Sequence, residues 1–140
     1  MAFERPRTET RVVERWNRVF EALSAASRRR LVASLLEAGP TEFVALPEAA
    51  QCPGDEDDQR AVTIRLYHRD LPLLADGNYV DWSREPFCAS RGDNFDELAA
   101  VIEAIEAAAP TFPEQLAGGG DGNGQGDGDR LEYERAPVDQ

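Results

Sequence analysis

Arg65, His68 and Arg69 fall within five residues of one another in a 140-residue chain whose formal net charge is −12. A guanidinium offers a planar fork of donors that fits two acceptors at once, such as an oxyanion or the major-groove edge of guanine. An imidazole can donate to a base edge or a phosphate. Catalysis is a poorer fit for these residues. His68 is the only histidine, and the two cysteines, Cys52 and Cys88, match no zinc-ligand spacing and are too few for a disulfide framework. Both thiols are expected to be reduced. No nucleophile with a base beside it can be assembled, and no metal set, so the chain reads as a non-enzyme without a cofactor.

All fifteen basic residues are arginine, against 27 Asp and Glu, and the isoelectric point is about 4.4. Such an acidic, lysine-free composition resembles proteins of salt-accumulating archaea; a GC-rich coding bias would produce it too. The positive charge is segregated. Residues 1–38 carry eight Arg against five Glu, and residues 59–74 carry Arg60, Arg65 and Arg69 against Asp70, whereas 39–58 and 93–116 each hold six acids and no base. No apolar run approaches the roughly 20 residues that span a bilayer, and the opening MAFERPRTETR lacks the pattern of an export signal, so a cytoplasmic protein is expected.

These residues need elements to hold them. After a flexible start over 1–9, Val12, Val13, Trp16, Val19, Phe20 and Leu23 recur at helical spacing and predict a first helix from about residue 10. Ser24 and Ser27 supply candidate N-caps for a second helix that stops at Gly39-Pro40. Thr41–Leu46 reads as a brief strand and Pro47–Gln51 as a short helix; the acidic GDEDDQ loop then caps a helix from about Gln59 to Ala75. On that helix Val62, Ile64, Leu66, Tyr67, Leu71, Leu73 and Leu74 form an apolar back, and Arg65, His68 and Arg69 share an arc of roughly 100° on the front. Thr63 and Asp70 spoil the apolar side, and Pro72 is expected to kink or tighten the last turn. Asp76-Gly77-Asn78 turns into a strand, Tyr79–Trp82. A loop bearing Arg84 then returns it through Phe87–Ala89. Asn94 starts a last helix that Pro110 ends; its Phe95, Leu98, Ile102 and Ile105 step at the spacing of a helix–helix seam. The Gly- and Asp-rich stretch that follows is expected to be a disordered acidic tail over 113–140, and with no lysine it makes no phosphate loop.

The order of these elements is that of a winged helix-turn-helix domain. "RVFEALSAASRRRLVASLLEAG" resembles the first two helices of ArsR-type regulators, and "IRLYHRDLPLLADGNYVDWS" resembles their recognition helix running into the wing. More closely, "LYHRDLPLLADGNYVDW" is similar to a haloarchaeal winged-helix family of unknown function with the phrase L-x-H-x-x-L-P-x-L-A-x-x-x-x-V. The likeness covers roughly residues 16–90. It implies an α+β, mainly α, winged domain over 10–92 with an additional C-terminal helix over 93–112. It also implies a DNA-binding transcription regulator whose helix 59–74 enters the major groove and whose wing, 83–91, lies beside the backbone. Arg65, His68 and Arg69 would then face bases, with Thr63 among the candidate contacts, and Arg60, Arg84, Arg29 and Arg30 would meet phosphates. Arg28, at the same helix start but nearer the packing side, is open to either a backbone contact or a structural role. The resemblance further implies a homodimer built from the first and last helices, through Trp16, Phe95, Leu98, Ile102 and Ile105. Two departures stand out: ArsR-type proteins often carry small polar residues where this chain has arginines, and no cysteine-rich metal-sensing box is present. A winged-helix module that docks a protein partner without binding DNA is the competing reading. No effector pocket is recognisable in the sequence.

Overall fold

A buried Arg28 and a buried Asp70 organise the centre of this molecule. The computed structural model describes residues 4–53 and 58–117. Helix α1 (Glu4–Ala22) leads to α2 (Ala26–Ala38), strand β1 (Val44–Ala45) and a single 3₁₀ turn (Glu48–Ala50). A long helical segment follows as α3 (Gln59–Arg65), a π-turn (Leu66–Asp70) and α4 (Leu71–Asp76). Strands β2 (Val80–Arg84) and β3 (Phe87–Arg91) form a hairpin, and α5 (Phe95–Ala108), a 3₁₀ turn (Ala109–Thr111) and α6 (Glu114–Ala117) complete the described chain. The fold is therefore mainly helical with one small antiparallel sheet, ordered β1-β3-β2.

Two ends differ from expectation. Helix α1 begins at Glu4 rather than near residue 10. Pro6 is no obstacle there, because the first helical N–H groups have no intrahelical partner. The region expected to be disordered from 113 opens with α6, while residues 118–140 lie outside the described residues, as do 1–3 and most of the acidic loop, 54–57.

The core draws on every long element: Val19, Ala22 and Leu23 from α1, Leu31, Val32 and Leu35 from α2, Val62, Leu66, Leu71 and Leu74 from the long segment, and Phe95, Leu98 and Ile102 from α5. Burying these side chains supplies the main driving force for folding. Phe95, Leu98 and Ile102 are thereby closed inside the chain's own core, at 6% exposure or less, and cannot form a seam with a second copy. A 3-4 apolar repeat cannot distinguish a seam between chains from the inner face of a single chain.

Neither serine caps α2. Ala25 holds the N-cap position without a side-chain bond, Ser24 Oγ donates to the Glu21 carbonyl, and Ser27 Oγ donates to Asp70 Oδ2. At the other end of α2, Arg91 reaches over from β3 and donates to the carbonyls of Leu35 and Leu36, which have no partner within the helix. Its guanidinium also lies 4.9 Å from the centre of the Phe95 ring, which ties sheet, α2 and α5 together.

The turn into the hairpin divides its labour between two residues. Asn78, not Gly77, adopts the left-handed conformation, with φ 61°. Gly77 is needed for space, since a Cβ there would stand 2.4 Å from Cε2 of Tyr79. Asn94 does not cap α5 with its side chain; its Nδ2 donates to the Gly77 carbonyl and its backbone N–H to Asn78, locking this turn against the helix start.

Candidate nucleic-acid interface

The segment Gln59–Asp76 is positioned from its start, its middle and its side. At the start, Asp58 Oδ1 accepts from the Ala61 N–H, the capping role expected of the acidic loop's last residue. In the middle, the Leu71 N–H bonds back to the Leu66 carbonyl, five residues away, making one wide π-turn. Pro72 therefore does not tighten the last turn. It has no N–H to offer the preceding carbonyls, and the backbone just before it widens instead. With this extra residue, Val62, Leu66, Leu71 and Leu74 fall on one buried line at steps of four, five and three.

The π-turn also brings Asp70 inward, where it is 1% exposed. Arg28 Nη1 meets Asp70 Oδ1 at 2.7 Å, and Ser27 Oγ meets Oδ2 at 2.7 Å. Arg28 spends its other donors on the carbonyls of Ala22 and Glu21 and on Ser24 Oγ. The polar residue that spoils the helix's apolar arc and the arginine on α2's packing side are thus partners. A buried charge of either sign would be costly alone, and each supplies what the other needs.

The opposite face of the segment is open. Arg60, His68 and Arg69 are exposed, Arg65 is partly exposed with Nε 3.8 Å from Asp70 Oδ2, and Thr63 is half-buried. Ile64, expected in the apolar back, is 48% exposed, one helical turn from Arg60 and one from His68. A helix whose basic face carries an outward isoleucine can make both charged and apolar contacts with a groove. Sequence periodicity hid this, because one apolar residue on a helix flank looks like core.

The hairpin is tighter than the sequence suggested. Arg84 pairs with Phe87 at the end of the ladder, so the turn is Glu85-Pro86 alone, braced by Ser83 Oγ donating to the Pro86 carbonyl. The Tyr67 ring stacks on Phe87 at 4.8 Å and packs against Trp82 at 5.8 Å. Arg84 lies over this cluster, 5.0 Å from the Tyr67 ring and 5.7 Å from that of Trp82. Periodicity alone does not reveal this aromatic cluster. The cluster places Arg84 beside the residue that precedes His68, so hairpin and helix present their basic groups together.

Other candidates are placed elsewhere. Arg29 Nη1 donates to the Leu23 carbonyl at 2.7 Å, closing the α1–α2 turn, and Arg29 lines an apolar groove of about 560 Å³ with Phe20, Leu23, Val101, Ile105 and Leu116. Its guanidinium serves the fold rather than a phosphate. Arg30 is half-buried on α2. Of the residues expected at a dimer interface, Trp16 is 48% exposed and packs on Phe20, and Ile105 is half-buried at the groove. Val12, Val13 and Phe20 extend the outward apolar stripe on α1.

No helix among the described residues is long and apolar enough to cross a membrane. Compared with protein-family models, curated proteins and solved structures, the chain matches none.

Proposed function

We propose that this chain is a sequence-specific DNA-binding regulator of ArsR-like winged helix-turn-helix type, working as a homodimer. One observation carries the reading. The segment Gln59–Asp76 is fixed along its back by core leucines and the Arg28–Asp70 pair, while its front turns Arg60, Ile64, His68 and Arg69 to solvent beside the hairpin's Arg84. The element order and the β1-β3-β2 sheet support a winged arrangement. Arginine to guanine gives base readout, and Ile64 fits a thymine methyl. The stripe Val12, Val13, Trp16 and Phe20 on α1 supports pairing with a second copy, because large apolar side chains clustered on one exposed face are what an interface buries.

An acidic protein can bind DNA where salt is high. At 1 M salt the screening length is only about 3 Å, so repulsion from the net negative surface fades together with the gain from counterion release. Short-range contacts then decide affinity, and a compact basic face suits that regime.

The test is recovery of DNA crosslinked to the tagged protein in its own cells, beside an Arg65→Ala/Arg69→Ala variant. Discrete sites lost in the variant are expected, and each well-made arginine–base contact is worth about 1–3 kcal/mol of discrimination. Absence of sites with folded, expressed protein would refute this reading. The same exposed stripe on α1 would then favour a winged-helix module that docks a protein.

A further inference from the structure

Helix α1 carries two faces along residues 11–20. Its apolar stripe points outward, as described, while Arg11, Glu14, Arg15 and Arg18, spaced three and four apart, line a cleft of about 260 Å³ against the body of the protein. Gly77, Tyr79, Asn94 and Glu97 form the opposite wall.

Arg15 pairs with Glu97, and this hydrogen bond and charge raise the Arg15 guanidinium above its usual value. Arg11 and Arg18 make no ion pair or hydrogen bond with any described residue. Tyr79 is 3% exposed, its ring pinned over Gly77, and it lines the cleft. Burial first and the Glu97 charge second push the Tyr79 phenol above its ordinary value, with Arg18 and Arg15 opposing, so the hydroxyl remains a donor across the neutral range. Arg11 and Arg18 are exposed over the cleft, and a ligand carboxylate would engage their guanidinium groups in charge-assisted hydrogen bonds.

We propose that this cleft binds a small monocarboxylate, its oxygens held by Arg11 and Arg18 and by a hydrogen bond from the Tyr79 hydroxyl. Three guanidinium groups against two carboxylates leave the lining at net +1, which one carboxylate neutralises and a phosphate dianion overshoots. The volume lies below the usual range of about 300–1,000 Å³ for drug-sized ligands, which fits a short organic acid. The site is separate from the basic face of Gln59–Asp76 and does not depend on DNA binding.

The experiment is a titration of the full chain with lactate, glycolate and inorganic phosphate at constant chloride and pH. It is read by NMR at the Tyr79 ring and repeated on Arg11→Gln/Arg18→Gln and Tyr79→Phe. Both arginines are exposed, so their replacement leaves the fold in place, which circular dichroism verifies. A saturable lactate or glycolate response is expected, weaker for phosphate, and reduced roughly tenfold or more in the double arginine variant. Tyr79→Phe, read by calorimetry, is expected to weaken binding by a smaller factor. A linear, non-saturating response, tighter binding of phosphate than of either acid, or equal affinity in the double arginine variant would each overturn the proposal.

Discussion

Replacing Arg28 with Met tests the claim that the buried ion pair holds the long helical segment in place. The substitution keeps most of the apolar stem and removes the charge, leaving the Asp70 carboxylate 1% exposed with the Ser27 Oγ hydrogen bond and the more distant Arg65 Nε, 3.8 Å from Oδ2. Breaking a buried pair from one side costs about 3–5 kcal/mol, a large part of the roughly 5–15 kcal/mol that stabilises an ordinary domain. At about 4 °C per kcal/mol for a domain of this size, the melting temperature should fall by about 12–20 °C. Removing both charges, Arg28→Met with Asp70→Leu, should recover much of that loss. It should not recover all of it, because the Arg28 hydrogen bonds to the carbonyls of Ala22 and Glu21 are lost and the Ser27 hydroxyl loses its acceptor. A double-mutant cycle by calorimetry, repeated at low and at molar salt, isolates the pair. Buried charges are weakly screened, so the coupling should survive salt. A fall of less than about 1 kcal/mol for Arg28→Met, or additive effects in the cycle, would refute the reasoning.

Arg15→Gln, by contrast, should barely move the melting temperature, since the Arg15 side chain of that pair is 58% exposed; a drop as large as that of Arg28→Met would contradict the assignment. Trp16→Asp with Phe20→Asp should leave sedimentation at the monomer mass where the parent chain sediments as a dimer. Gly92→Ala should destabilise by about 1–3 kcal/mol in denaturant melts, because its Cβ would meet the Asn78 carbonyl oxygen at 2.5 Å, a backbone contact with little room to yield. Tyr79 should ionise above the ordinary tyrosine range in an alkaline ultraviolet titration, as a component missing in Tyr79→Phe. The folded phenol is raised above the ordinary value of 10.0, so above that pH the unfolded chain loses its proton first. Tyr79 therefore stabilises the fold below about pH 10, and that contribution is lost as pH rises through its folded value.

Much of this architecture was legible because local signals and global packing agree. Gly39-Pro40, Asp58 and Pro110 marked helix ends that hold within a residue or two, and the charge segregation pointed to the exposed face of Gln59–Asp76. What escaped notice depended on contacts far apart in sequence. Asp70 looked like a flaw in an amphipathic helix until Arg28, 42 positions earlier, supplied its partner. Ser24 and Ser27 looked like caps, yet one closes a turn and the other donates to Asp70. The stacking of Tyr67 on Phe87 and the reach of Arg91 to α2 leave no periodic trace. The cleft at Tyr79 is built from α1, a turn and the start of α5, and no single stretch of sequence contains it.

The wide turn at Leu66–Asp70 has a consequence for how this chain can change length. Elsewhere in a buried helix, losing one residue rotates everything downstream by about 100° and swings core side chains into water. Here the path from Leu66 to Leu71 takes five residues where an ordinary turn takes about 3.6, so the helix stores roughly one residue of slack. A deletion among Tyr67, His68 and Arg69 can draw on that slack, leaving Val62 and Leu74 on the same buried line while resetting which side chains face outward. The basic face could thus be reworked by a one-residue loss that the core scarcely registers.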